Sequence, residues 1–328
     1  MVQPDCSRGK KVSTKTAVLM STWNGARYLS EQINSLLNQE YKDFELFIRD
    51  DGSTDETRSI IIRYEEQDSR IHFVNRNERI NLGVQNSFFT LLRTIYNDYP
   101  EVEYFSFCDQ DDFWLPDKLS VAVKKMVDVG YHEQGKLYYS NKTFTDADLN
   151  LLREEHIEFY DDFFEALWPS LASGCTMVID RALASYALRW TPDFDYYHDA
   201  WIYRVGKSIG STVIFDRHSH ILYRQHGDNE VGIAGARMSN GPGYMIKNFI
   251  PKIFSKENTR RFQKPMIAID DHFTEEINEA GNRMWMDALR EYPHSWKAKT
   301  KLIFSSDMYK RGLLLYAVWC YKIIFGYI

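Results

Sequence analysis

The sequence predicts an α/β fold built on a mostly parallel sheet with helices on both faces, followed by a mainly helical C-terminal region. Two observations carry this reading. Between Thr16 and Trp114, short apolar runs alternate with helix-like segments, and each apolar run ends in a polar cluster. From Tyr244 onward the strand signals stop and helical patterns dominate. The strand candidates are Thr16–Ser21, Phe44–Asp50, Ile71–Asn75 and Tyr104–Asp109, all short and rich in β-branched or aromatic residues. The intervening helices are Arg27–Asn38, Asp55–Gln67 and Gly83–Tyr96. The last of these sets Val84, Phe88, Leu91, Leu92 and Ile95 on one face. Ser53–Glu56 matches the capping-box pattern that opens a helix. Further on, helices are expected over Pro116–Val129, Asp161–Leu167, Ala182–Trp190 and Tyr197–Ile209, with strands over Lys136–Asn141, Ser173–Asp180 and Thr212–Asp216. The Gly- and Asn-rich stretch after His226 reads as a loop or linker.

Composition narrows the function. The chain has 328 residues, 44% hydrophobic and 15% aromatic, which suits a folded protein rather than a disordered one. A formal charge of −6 argues against a general nucleic-acid partner. Cys6, Cys108, Cys175 and Cys320 form no CxxC pair, which favours a reducing, cytoplasmic setting over a disulfide framework or zinc site. Residues 1–14 are polar, lack the apolar run of a signal peptide and read as a loose tail.

In parallel sheets ligands sit beyond the carboxyl ends of the strands. That rule brings Asp50, Asp51, Asp109 and Asp111 to one rim. Cys108-Asp109-Gln110-Asp111-Asp112-Phe113-Trp114 follows a strand, and carboxylates one residue apart there can share a hard divalent cation. Such a cation would offset the charge of a diphosphate leaving group. An acidic solvated turn is the plain alternative. Arg49-Asp50-Asp51-Gly52-Ser53-Thr54-Asp55 offers carboxylates to a pyrimidine or ribose, with an ordinary Asp-Gly-Ser turn as its alternative. Ser21-Thr22-Trp23-Asn24-Gly25 and Tyr28 add hydroxyls and backbone amides beside the same rim.

Together these three motifs, in this order and each after a strand, resemble glycosyltransferase family 2, over roughly Thr16 to Gly232. The resemblance implies the GT-A fold and an inverting, metal-dependent transfer of sugar from a nucleotide-diphosphate donor. It implies further roles downstream. Ser173-Gly174-Cys175 resembles the small-residue strand start beneath a sugar. Tyr197-His198-Asp199-Ala200-Trp201 falls where the family places an acidic base, making Asp199 the candidate to deprotonate the acceptor hydroxyl. Tyr223-Arg224-Gln225-His226 is similar to the element that closes over the diphosphate. The expected donor-binding set is Thr22, Asn24, Tyr28, Asp50, Asp51, Asp109, Gln110, Gly174 and Arg224. The expected Mg²⁺ or Mn²⁺ set is Asp111, Asp112 and His226. The wording CDQDDFW, HDAW and YRQHGDN resembles bacterial rhamnosyltransferases of surface-polysaccharide synthesis, which implies dTDP-L-rhamnose, with a UDP-hexose or UDP-N-acetylhexosamine as the alternative. A nucleotidyltransferase or a non-catalytic sugar-nucleotide-binding protein are the rivals. The first loop, STWNGARYL, lacks the Gly-rich basic character of the former, and all the carboxylates that the latter would lose are present.

The expected organisation is therefore a tail over 1–14, a GT-A catalytic domain over 15–232 and a helical appendage over 233–328. The apolar C-terminal run is interrupted by Lys322 and follows Lys297, Lys299, Lys301, Lys310 and Arg311. With Trp319, Tyr321 and Tyr327, and with Tyr244–Phe254, it reads either as a contact with the inner face of a cell membrane, suiting a saccharide or lipid-linked saccharide acceptor, or as a helix packed on the catalytic domain or a second subunit. No membrane span is expected.

Overall fold

The apolar runs of the first hundred residues become the parallel heart of a nine-stranded sheet. The structure is a computed structural model that describes residues 14–167, 172–194, 196–227 and 256–325. The expectations for the tail up to Ser13, for 228–255 and for Tyr327 lie outside the described residues. Strands β1 (Thr16–Thr22), β2 (Phe44–Asp50), β3 (Ile71–Phe73) and β4 (Tyr104–Cys108) align in parallel in the order β3-β2-β1-β4. They alternate with helices α1 (Ala26–Leu37), α2 (Thr57–Gln67) and α3 (Val84–Asp98). Every residue of β1 except Ser21 is buried, as expected for a strand covered on both faces. The α3 stripe lands as read: Phe88, Leu91, Leu92 and Ile95 are buried, each contributing roughly 1.5–3 kcal/mol of apolar transfer.

The second half completes a mixed sheet. It adds β5 (Phe113–Trp114), α4 (Lys118–Asp128), β6 (Lys136–Thr145), β7 (Leu151–Glu154), β8 (Val178–Asp180), α5 (Arg181–Arg189), α6 (His198–Ile209) and β9 (Thr212–Arg224). β8 runs antiparallel to β4 and β6, β9 runs parallel to β6, and β5 closes the far edge against β9.

Three local expectations are corrected. Ser53 does not cap α2. Its hydroxyl bonds the Asp50 carboxylate and accepts the Asn24 N–H, so the helix opens only at Thr57, beside Asp55. The strand expected over Ser173–Asp180 begins as a 3-10 turn over Gly174–Thr176, because the Ser173 carbonyl accepts both the N–H and the hydroxyl of Thr176 at 2.9 Å. The last strand runs on to Arg224 rather than stopping at Asp216. Its polar middle is satisfied by cross-links: the His220 ring lies 3.0 Å from Asp117 and 3.3 Å from Asp216, and Lys125 lies 3.1 Å from Asp216. These partners hold the Asp216 carboxyl far below the usual range against the opposing effect of burial, which is the largest single influence.

The C-terminal helices are α7 (Lys256–His272), α8 (Thr274–Glu279), α9 (Arg283–Glu291), α10 (Trp296–Ile303), α11 (Ser306–Tyr309) and α12 (Leu313–Phe325). They share one continuous buried core with the sheet domain, in which Met266, Ile269, Phe273 and Ile277 join Leu188 and Trp201. Trp319, read as an interfacial residue, is instead 2% exposed. It packs edge-on against Phe164 and donates its indole N–H to the Leu302 carbonyl at 2.9 Å. Arg311 is also buried and makes paired bonds of 3.0 and 2.8 Å to Asp162. Among the described residues no helix is long and apolar enough to cross a membrane.

Glu165 lies at this junction, 1% exposed, accepting the Tyr160 N–H at 3.0 Å through Oε1. Burial pushes its carboxyl up to about 7, outweighing Arg311, which is 3.6 Å away but committed to Asp162. Because the folded protein holds this proton more tightly than the unfolded chain, the stabilisation is complete below pH of about 4.5 and is lost as pH rises through about 7. Thermal unfolding of Glu165→Gln against the parent at a series of pH values should show the parent losing on the order of 2 kcal/mol relative to the variant across that window. Parallel curves would remove this account of the junction.

Candidate active site

A cleft of about 580 Å³ opens at the carboxyl ends of β1, β2 and β4. Thr22, Asp51, Asp109, Gln110 and Asp111 line it from the sheet side. Gly174 and Asp199 line it from the second half of the chain. Seven of the residues expected from the sequence thus meet in one cavity.

The β2 end divides the work of its two acids. Asp50 is fully buried and turns inward, accepting from Thr22 Oγ1 at 3.2 Å, from the Ser53 N–H at 3.1 Å and from Arg58 at 2.9 Å. It braces the turn and is not on the cleft wall, contrary to its expected donor contact. Asp51 reaches the wall. Its carboxylate is paired with Arg49 at 2.5 Å and accepts the N–H groups of Leu82 and Gly83, both at 2.8 Å, which draws the loop before α3 over the cleft. Gly52, with φ of 84°, makes the turn that follows Asp51. Asn24, at φ of 47°, is a latch rather than a wall residue, its side-chain oxygen accepting the Thr54 N–H at 2.8 Å. Gln110 faces the cleft, yet both ends of its amide are bonded to the Trp23 backbone, at 2.9 and 3.0 Å.

The acidic turn between β4 and β5 is held against the end of β9 by the pairing of Phe113 with Leu222 and Trp114 with Ile221. Asp111 Oδ2 consequently lies 2.8 Å from His226 Nε2. Asp112 is fully buried. Its Oδ1 accepts the Arg224 N–H at 3.1 Å, and its Oδ2 has no hydrogen-bond partner among the described residues. Burial, reinforced by Asp111 and Asp109, pushes its carboxyl well above the usual range. Arg224, expected against a diphosphate, is turned away. Its guanidinium bonds the Asp111 carbonyl at 2.8 Å, the Ala147 carbonyl and the Glu31 carboxylate. It fixes the backbone of the acidic turn instead. Tyr28 likewise does not line the cleft; its ring lies 4.5 Å from the Arg224 guanidinium and 4.9 Å from the His226 ring.

Oxygen and imidazole ligands suited to Mg²⁺ or Mn²⁺ are at hand where Asp111 Oδ2 and His226 Nε2 face each other at 2.8 Å. Asp112, expected in the same set, is not gathered with them into a three-ligand group among the described residues. A second grouping brings single ligand atoms of Asp109, Asp112 and Cys175 within 4.8 Å of one another. There the thiol is a poor match, because hard cations prefer oxygen ligands.

Asp199 stands on the first turn of α6. Its Oδ2 accepts the Gly174 N–H at 2.8 Å and its Oδ1 the Ala200 N–H at 2.6 Å. The cleft also holds residues that were not singled out by sequence. Asn81 and Gly83 come from an irregular loop with no motif, while His198 and Tyr223 were visible only as neighbours of motif residues.

An α/β fold with an acidic turn after its fourth strand, a second acid after its second strand and a carboxylate held over the same cleft defines a glycosyltransferase of the GT-A type. Solved structures agree on the fold. TarS of S. aureus in complex with UDP-GlcNAc superposes with a TM-score of 0.54 at 15% identity, over 96% of this chain and 82% of that one. The mannosyltransferase PcManGT of Pyrobaculum calidifontis, with GDP-Man and Mn²⁺, gives 0.50 at 14% identity, over 95% and 87%. The profile described as Glycosyl transferase family 2 matches residues 17–187, and the chain belongs to that family. It is 30% identical over 224 residues to the dTDP-rhamnosyl transferase RfbG of Shigella flexneri, covering 65% of this chain and 73% of that protein. It is 25% identical to WfgD of Escherichia coli, a UDP-Glc:alpha-D-GlcNAc-diphosphoundecaprenol beta-1,3-glucosyltransferase, over 55% and 66%.

Gly174 is required by close approach: a Cβ there would stand 2.9 Å from His198 Nε2 and 3.5 Å from the Asp199 Cβ. Gly174→Ala should therefore force the turn away from the His198 ring, loosen the Gly174 N–H bond to Asp199 and lower the rate of nucleotide release by roughly 100-fold, the effect of about 1 Å of misplacement, while the folded state persists by circular dichroism. Wild-type turnover in this variant would show that the turn does not position Asp199.

Proposed function

We propose that this enzyme transfers L-rhamnose from dTDP-rhamnose, with inversion, to a hydroxyl of a saccharide or lipid-linked saccharide during cell-surface polysaccharide synthesis. One observation carries the reading: Asp51, Asp109, Asp111 and Asp199 line a single cleft beyond the sheet. The rhamnosyl donor is supported by the 30% identity to RfbG and by the CDQDDFW and HDAW wording. UDP-glucose is the alternative donor, supported by the WfgD relationship.

In this reading Thr22 and Asp51 bind the nucleoside, with Asp50 as the brace beneath them, and Asp109 contacts the ribose. Asp111 and His226, with Asp112 as a further carboxylate nearby in the chain, would hold Mg²⁺ or Mn²⁺, and the bound cation would offset the charge gathering on the departing diphosphate. Asp199 takes the acceptor proton at Oδ2 while the acceptor oxygen bonds to the anomeric carbon and the bond to the diphosphate breaks. The Gly174 N–H keeps that carboxylate aimed. Residues 15–232 form the catalytic unit and 233–328 a unit that docks on the inner face of the membrane. Exposed Trp296, Phe304, Leu313 and Phe325 beside Lys297, Lys299, Lys301 and Lys310 supply a surface suited to anionic lipid.

Nucleotide release should be followed with dTDP-rhamnose and UDP-glucose, with Mn²⁺, with Mg²⁺ and with chelator. Asp111→Ala and Asp199→Asn should each cost about 10²–10⁴-fold. Full turnover in chelator would sink the metal assignment, and an active Asp199→Asn would sink the base. Sedimentation with anionic vesicles tests the docking unit: the protein should pellet with them, and Phe304→Ser/Leu313→Ser should stay in the supernatant. Equal recovery of parent and variant would remove the membrane reading.

A further inference from the structure

His198 is the most unusual group in the cleft wall. It is 7% exposed, and neither ring nitrogen has a hydrogen-bond partner among the described residues. Its ring is stacked on Phe88 with centroids 4.2 Å apart and tilted against Phe107 at 5.0 Å. The two phenylalanines flank the ring, and both nitrogens are covered, so a ligand reaches one of them through a small shift of the ring or of the Gly174 turn. The residue nevertheless belongs to the cavity wall, beside Asp199 and Gly174. Nε2 crowds Gly174 so closely that a Cβ there would stand 2.9 Å away. A buried imidazole that leaves both nitrogens unsatisfied is costly, and such groups call for a ligand or another specific cause.

Burial also lowers the tendency of this histidine to protonate, more than the adjacent Asp199 raises it. The neutral ring has one N–H donor and one bare nitrogen acceptor. That pair complements a sugar hydroxyl, which both donates and accepts. It suits a charged phosphate poorly, because a phosphate offers only acceptors.

We propose that His198 is a sugar-binding residue, its ring edge hydrogen-bonded to a hydroxyl of the sugar lying over Gly174, next to the reacting centre. This rests on the assignment of the cleft as the sugar-transfer site. It adds a contact that selects the sugar by its hydroxyl pattern, separate from the proton transfer given to Asp199. The bond is worth most because the ring nitrogens are buried and otherwise unpartnered among the described residues. A sugar that lacks the matching hydroxyl leaves the imidazole unsatisfied and is rejected.

The test replaces the ring by groups of similar bulk. His198→Phe keeps the aromatic stack and removes both nitrogens, whereas His198→Gln restores a donor and an acceptor. With dTDP-rhamnose or UDP-glucose, whichever the parent turns over, kcat/KM should fall about 10- to 100-fold in the Phe variant and recover at least in part in the Gln variant. A loss read in the donor KM places the hydroxyl on the donor sugar, and a loss confined to the acceptor KM places it on the acceptor. Affinity for dTDP or UDP alone should be unchanged, which separates sugar contact from a collapsed site. Parent kinetics in the Phe variant would overturn the proposal, as would equal losses for the sugar nucleotide and the free nucleotide. A second readout needs no turnover. The ring ¹⁵N resonances of His198 should move on adding the sugar nucleotide, or the nucleotide with acceptor saccharide, but not on adding the nucleotide alone. Resonances that stay fixed under all three additions would also overturn it. An inactive Asp199→Asn that still shows this ¹⁵N shift keeps the two assignments independent, and an active one removes the base while leaving His198 tested.

Discussion

The site depends on a cross-connection between segments more than a hundred residues apart. Phe113 and Trp114 pair with Leu222 and Ile221, and just beyond that pairing Arg224 reaches back to the Asp111 carbonyl. Its buried guanidinium is shared with Glu31 and Ala147, so three separate parts of the chain are tied at one cation. Charge-assisted bonds to a planar, permanently charged group suit this task, since they are directional and survive burial when every donor is satisfied. The acidic turn takes its shape from this tie, and His226 is delivered to Asp111 as a consequence. A residue expected to handle substrate charge is committed to shaping the groups that do.

The acids of the cleft are held in contrasting surroundings. Asp50 is saturated by Thr22, Ser53 and Arg58 and acts on the fold. Asp51 shares its carboxylate between the Arg49 guanidinium and two backbone amides and so recruits the loop before α3 to the cleft wall. Asp112 is crowded by two like charges in a buried place and holds its proton far more tightly than usual. Asp199 is aimed by an amide from a turn that lies so close to the His198 ring that only glycine fits there. Adjacent carboxylates in sequence therefore do different things, because burial and partners, not residue type, set what each can do.

The C-terminal helices are fastened by both apolar packing and buried charge. Phe273 and Ile277 enter the core beside α5 and α6, Trp319 lies against Phe164, and Arg311 clamps Asp162. Their inner faces are thus used up in stabilising the sheet domain. Trp296 on α10 and Phe325 on α12 remain exposed on the outside.

The order of strands and helices in the first hundred residues was legible from apolar spacing alone, as was the convergence of the Asp50–Asp51 and Asp109–Asp112 turns. Local periodicity dictates those elements, and parallel strands bring their ends to one rim. The resemblance of three ordered motifs was enough to indicate the family. Tertiary structure alone decided which carboxylates face the cleft, that Arg224 points away from it, that Trp319 is core, and that β9 runs on through a polar stretch. It alone also left the His198 ring without partners on the cleft wall. Each of these turns on a partner distant in sequence: Arg58 for Asp50, Glu31 for Arg224, Phe164 for Trp319, Asp117 for His220, Phe88 for His198. A linear pattern records which groups are available, but their charge state, exposure and direction depend on what the folded chain sets beside them.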